Sequence, residues 1–127
     1  MEDMAELNPH GYKTVPNVDK NLQILFTRLL ELQAAYGKPF TITSGLRDDA
    51  KQQELIKAGK TNAVHSKHLA GAAADVQDID GELAKYVQAN VKLLETIGLW
   101  IEHPNYTKGW VHFQILGPKS GKRVFIP

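Results

Sequence analysis

The sequence has no cysteine among its 127 residues. That absence excludes disulfide frameworks, thiolate metal sites and cysteine nucleophiles. Nor is there an apolar run near the roughly 18 residues that cross a bilayer, so no membrane insertion is expected. Neither sign of charge is in excess, since 15 Lys+Arg face 14 Asp+Glu for a formal net charge of +1. Without a basic surplus there is no electrostatic footprint for nucleic acid, and no nucleic-acid partner is expected. The opening residues, MEDMAELNPHGYK, are acidic and polar, unlike a secretory leader. A protein made in the cytoplasm with no signal peptide is therefore expected. What is present is 43% apolar residues in a length that suits one domain over residues 1–127. A chain of this size buries about two-thirds of its unfolded surface and folds without covalent staples.

Residues 1–17 read as a lead-in arm, with turn signals at Asn8-Pro9, Gly11 and Pro16-Asn17. From 18 to 36, Leu22, Leu25, Phe26, Leu29, Leu32 and Tyr36 recur at three- and four-residue steps. That stripe predicts an amphipathic helix, which Gly37 and Pro39 bring to a stop. Phe40 to Thr43 is short, β-branched and bounded by Pro39 and Gly45, as a strand would be. Asp48 or Asp49 is placed to cap a second helix to about Ala58, and residues 59–71 read as a loop. Ala72 to Val76 reads as a small buried strand. Asp80 is placed to cap a third helix, striped by Leu83, Val87, Val91 and Leu94 and ended by Gly98. Leu99-Trp100-Ile101 and Trp110 to Leu116 are strands about a Pro104-Asn105 turn, with Arg123 to Ile126 as a last edge strand. The fold class expected is α+β, a small antiparallel sheet flanked by about three helices.

Of the five histidines, His68 and His112 fall in a pattern with Asp75. Zinc takes nitrogen and oxygen donors at roughly 2.0–2.2 Å, so its ligands must converge. Seven residues of strand would hold His68 and Asp75 about 23 Å apart, and the same seven in a helix roughly 10 Å apart. They meet only if the chain bends between them, and Gly71 permits a bend. Two His and one Asp also leave one position of a tetrahedral zinc open. The plainer alternative is that buried His satisfy their nitrogens by hydrogen bonds. Asp75, between Ala74 and Val76, still needs a partner or a cation, because an unpaired carboxylate in an apolar strand is costly.

Three blocks extend this pattern: Ser44-Gly45-Leu46-Arg47, Ser66-Lys67-His68-Leu69-Ala70-Gly71-Ala72-Ala73-Ala74-Asp75 and Trp110-Val111-His112. In order and spacing they resemble the zinc D-Ala-D-Ala carboxypeptidase and L-alanyl-D-glutamate endopeptidase family, which cuts peptidoglycan stem peptides. The same metal scaffold occurs in the hedgehog signalling domain. The resemblance runs over about residues 40 to 115, with Leu46 where the family has an aromatic residue. It implies a hedgehog-like α+β fold, with His68, Asp75 and His112 as ligands of a Zn2+ cofactor. It places Arg47 on the substrate side of the cleft, where a guanidinium can fork onto a carboxylate or a polarised carbonyl oxygen. A surface salt bridge to Asp48 or Asp49 is the other reading of Arg47. Ser66 either binds substrate or braces its loop.

The peptidases of that family carry a Glu three residues before the last His ligand as general base. Here that position is Gly109, and no acidic residue follows Glu102. Glu102 lies ten residues before His112, at the end of a strand candidate. It is the candidate base if the two late strands are antiparallel neighbours. Otherwise it is an exposed strand end or pairs with Lys108. Trp110 should share a sheet face with His112 and either walls the substrate site or belongs to the core. His65 and His103 are proton-shuttle candidates or ordinary loop residues. The Gly117 to Arg123 stretch lacks phosphate-loop spacing, and Lys119, Lys122 and Arg123 read as a solvated turn.

The implied function is zinc-dependent hydrolysis of a peptidoglycan stem peptide, by a carboxypeptidase or an endolysin-type endopeptidase. The alternative is a catalytically inactive zinc-binding module of a virion or cell-wall assembly, a reading that Gly109 keeps open. The lack of a leader fits a bacteriophage-type lysin released after membrane damage. It fits equally a cytoplasmic recycling enzyme or a part of a larger particle.

Overall fold

The computed structural model describes residues 1–48 and 67–127. The second helix expected up to Ala58, Ser66, His65 and most of the breaker-rich loop lie outside the described residues. The first long element is α1, Pro16–Tyr36. Proline at its start needs no amide hydrogen and is already set to helical φ, and Gly37 ends it at φ 83°. The leucine stripe turns inward, so that Leu22, Leu25, Leu29 and Leu32 are all buried. Burying each side chain is worth about 1.5–3 kcal/mol, and the stripe is what holds this helix to the sheet.

Five strands form one sheet in the order β1-β2-β4-β3-β5. They are β1 (Ile42–Ser44), β2 (Ala73–Asp78), β3 (Trp100–Glu102), β4 (Gly109–Gln114) and β5 (Val124–Phe125). The pairs β1/β2, β2/β4 and β3/β4 are antiparallel as expected. The β3/β5 pair corrects that expectation, because it is parallel. The reason is where β4 ends: Gln114 lies opposite Trp100, the first residue of β3. A chain turning back through residues 115–123 therefore rejoins the sheet at the start of β3 and runs alongside it.

The third expected helix is two helices, α2 (Glu82–Ala89) and α3 (Val91–Ile97). Asn90 breaks them, its side-chain amide donating to the Tyr86 carbonyl at 2.7 Å in place of a continued helical ladder. The hydrophobic stripe passes through the break, which is why the sequence pattern reads as one element. Capping is also shared differently. Asp80 Oδ1 accepts from Glu82 N, but the buried Asp78 carboxylate takes both Leu83 N and Ala84 N at 2.9 Å.

Residues 1–7, expected as part of an arm, are packed into the core. A 3-10 turn, Met4–Leu7, is closed by a reciprocal Asp3 and Glu6 capping box. Leu7 is fully buried and Met1 nearly so. The acidic surface of this segment hides its two core residues from a composition-based reading.

Alternation divides the sheet into two faces. Val76, Val111, Phe113 and Ile101 point into the apolar core with the leucines of α1. Asp75, His112, Gln114 and Glu102 lie on the opposite face, which is where the site forms. No helix among the described residues is long and apolar enough to cross a membrane.

Candidate metal centre

Strand register assembles the first half of the site. In the β2/β4 ladder Asp75 is directly opposite His112, and His112 Nδ1 lies 3.0 Å from Asp75 Oδ1. The antiparallel β3/β4 pairing, Trp100 with Gln114 and Ile101 with Phe113, carries Glu102 to the position facing His112. Glu102 Oε1 is 3.8 Å from His112 Nε2. The condition set for Glu102 by the sequence is therefore met, and it turns to His112 rather than Lys108.

A backbone turn assembles the second half. Residues 67–71 reverse the chain ahead of β2, with Gly71 at φ 69°. A Cβ at Gly71 would also meet Val18 and Leu22 of α1 at 3.0–3.1 Å. This turn brings His68 Nε2 to 3.4 Å from Asp75 Oδ1. His68, Asp75 and His112 are all buried, and their ligand atoms lie within 4.8 Å of one another. Two donors bound to one tetrahedral zinc at roughly 2.0–2.1 Å sit about 3.3 Å apart, so the separations of 3.0 and 3.4 Å to Asp75 suit a shared ion.

Each ring's far nitrogen is already engaged. His68 Nδ1 donates to the Gly45 carbonyl at 2.8 Å. His112 Nε2 lies 2.8 Å from Gln114 Oε1. Both rings thus turn their other nitrogen towards Asp75, the arrangement a metal-ligating His needs. The residues present fit zinc.

The Ser44 to Arg47 block gains a physical meaning. A register irregularity between Ile42 and Ser44 sets Ser44 opposite Asp75. Gly45 lies against the Leu7 backbone so closely that a side chain there would overlap it, and Leu46 N bonds to Leu7 O at 2.7 Å. Held in this way, Gly45 offers its carbonyl to His68. Arg47 Nε and Nη2 donate to Ser44 Oγ at 3.3 and 3.1 Å, and Nη2 reaches 3.6 Å from Asp75 Oδ2. Arg47 is largely buried at the site and is not confined to a surface pair.

Electrostatics sharpen the roles. Burial is the largest influence on Asp75 and would raise its carboxyl, yet hydrogen bonds with His112 and His68 outweigh it and hold the group well below its usual range. Burial lowers His68, leaving a neutral ring with a lone pair. It would lower His112 as well, but Asp75 beside it prevails and the ring is raised. The space between His112 Nδ1 and Asp75 Oδ1 thus favours a cation, either a proton or a metal. Burial raises Glu102, with the neighbouring His112 pulling the other way.

The sequence pattern of peptidase M15 matches residues 2–113. The chain belongs to the peptidase M15 family. A crystal structure of the Serratia marcescens L-Ala D-Glu endopeptidase ChiX is similar to it over 95% of this chain and 98% of that one. The TM-score is 0.54 at 24% identity, which shows a shared fold. Among curated proteins none matches.

Two hollows flank the centre of this M15 chain. One, about 320 Å3, is lined by His10, Ser44, Gly45 and Arg47 among others. The other, about 340 Å3, is lined by Lys67, Glu102, His112, Gln114, Lys119 and Phe125 among others. Trp110 shares the His112 face but is 37% exposed at the start of β4 and lines neither hollow. His103 caps the 3-10 turn Pro104–Tyr106, accepting from Asn105 N. Arg123, expected in a solvated turn, stacks on the Trp100 ring at 4.0 Å and donates to Leu99 O. Sequence reasoning missed Gln114, the Gly45 carbonyl and His10. Only Gln114 left a signal, since it shares the β4 face of His112 at a spacing of two.

Proposed function

We propose that this M15 family member is a zinc metallopeptidase that hydrolyses a peptide bond in bacterial peptidoglycan stem peptides. The observation that carries the reading is the buried convergence of His68, Asp75 and His112, with Glu102 brought alongside by strand register. His68 Nε2, Asp75 Oδ1 and His112 Nδ1 are the atoms that would hold the ion. Bound zinc in such a set supplies Lewis acidity to the scissile carbonyl and to water. Glu102 takes the proton of the attacking water at its carboxylate and returns it to the leaving amine. Its burial, which raises the carboxyl, suits that two-way role. Arg47, braced by Ser44, holds a substrate carboxylate or the carbonyl oxygen as negative charge develops there. Trp110, an exposed ring on the His112 face of β4, and Ser66 are the further substrate contacts of this reading.

One observation favours the second reading, an inactive zinc-binding module. Gly109 stands at φ 96°, where a Glu would be strained, so the base of the related peptidases has no counterpart there. Incubation with purified peptidoglycan separates the two readings. The first predicts released peptide fragments, lost on chelation and restored by added zinc, with fragment masses that tell endopeptidase from carboxypeptidase cleavage. Intact wall beside stoichiometric zinc would establish the module instead.

A further inference from the structure

The His112 ring could turn either nitrogen to a metal, and its neighbours on β4 decide which. Gln114 is two residues on, on the same face, and only 4% exposed. Its Nε2 donates to the Leu116 carbonyl at 2.6 Å. A carbonyl oxygen only accepts, so Leu116 fixes which end of the amide faces away. The Oε1 end is left 2.8 Å from His112 Nε2. That oxygen also only accepts, so the proton must be on His112 Nε2.

We infer that Gln114 is a positioning residue for the metal centre. It holds the His112 proton on Nε2, so that Nδ1 presents its lone pair to the ion shared with Asp75 and His68. The inference rests on the metallopeptidase reading and adds to it a residue outside the ligand set. Gly45 does the same for His68 through a backbone carbonyl, which no side-chain substitution can remove. Gln114 is therefore the accessible half of the device. A second consequence concerns Glu102, whose Oε1 is 3.8 Å from the same His112 nitrogen. With that proton committed to Gln114, the Glu102 carboxylate stays available to water.

The test is titration of metal-free protein with Zn2+ against a chromophoric chelator, for wild type, Gln114→Leu and Gln114→Glu. Gln114→Leu removes the acceptor and should bind zinc roughly 10- to 100-fold more weakly. Gln114→Glu keeps an acceptor at the same reach and should recover most of that loss. A Gln114→Leu protein that binds zinc as tightly as wild type overturns the inference. Nitrogen-15 correlation spectra of zinc-loaded wild type give a second readout that needs no variant to fold. They should show the His112 proton on Nε2, and a proton on Nδ1 overturns the inference too. Wild type that takes no zinc would bring down the metallopeptidase reading and this one together. Zinc bound equally by wild type and Gln114→Leu would bring down this one alone.

Discussion

At the scale of single residues, the candidate site is built around one carboxylate with three partners. Asp75 faces His112, His68 and Arg47 from between the apolar Ala74 and Val76, and its contacts with the two histidines keep it charged despite burial. The same contacts set a pH dependence. In metal-free protein the folded His112 is raised, so its protonation stabilises the fold below the ordinary 6.5. That contribution is lost as pH rises through the raised value. Zinc must displace this proton, so its affinity should fall about tenfold per pH unit below that point. The increase in melting temperature caused by zinc should accordingly grow between about pH 6 and pH 8, as thermal melts with and without the metal would record. A shift that shrinks over this range would contradict the assignment of His112. Arg47 gives a second expectation. Arg47→Lys keeps the charge but loses the fork that Ser44 braces, so kcat/KM should drop by about 10- to 100-fold with zinc content unchanged. An unaltered kcat/KM would remove Arg47 from the substrate side.

At the scale of elements, the site is produced by two ladders and one turn. The β2/β4 register sets Asp75 against His112, the β3/β4 register sets Glu102 against His112, and the Gly71 turn delivers His68. Gly71→Ala has both a positive φ and the α1 side chains against it, and should destabilise by about 2 kcal/mol while weakening zinc binding. Denaturant melts paired with zinc titration check both effects, and a variant of wild-type stability would show that the turn tolerates a side chain. Asp78→Ala removes the carboxylate that caps α2 at two amides, with an expected loss of about 1–2 kcal/mol and no loss of zinc. Helix α1 was legible because its stripe and its Gly37 agree, whereas its first two residues were not, because Pro16-Asn17 reads equally well as a turn. His68, Asp75 and His112 were legible as a group only through the three blocks that carry the family resemblance, since a His seven residues before an Asp says little alone; the fold brings the three together. Glu102 was legible from the absence of any later acid and from strand geometry. Leu7 and Met1 were not, since two apolar residues in an acidic segment form no period. The α2/α3 break escaped because a hydrophobic stripe can cross a local disruption. The Gly45 carbonyl leaves no trace in residue type, and Gln114 carries no charge to single it out.

At the scale of the whole molecule, one face of the sheet packs into the core and the other carries the candidate metal centre. The helices and the N-terminal 3-10 turn close the apolar face, while the opposite face presents buried polar groups between two hollows. The parallel β5 strand borders the second hollow through Phe125, so the sheet edge that the sequence left plain also shapes the site. A metal ion shared by a turn and a strand should tie these parts together, because ligand binding to the folded state alone stabilises it. The most direct test of the account is zinc content and stem-peptide cleavage measured on one preparation, wild type beside Glu102→Gln. The account predicts stoichiometric zinc in both proteins, with cleavage by wild type and a rate about 10²- to 10⁴-fold lower in the variant. Zinc absent from wild type, or cleavage undiminished in Glu102→Gln, would contradict it.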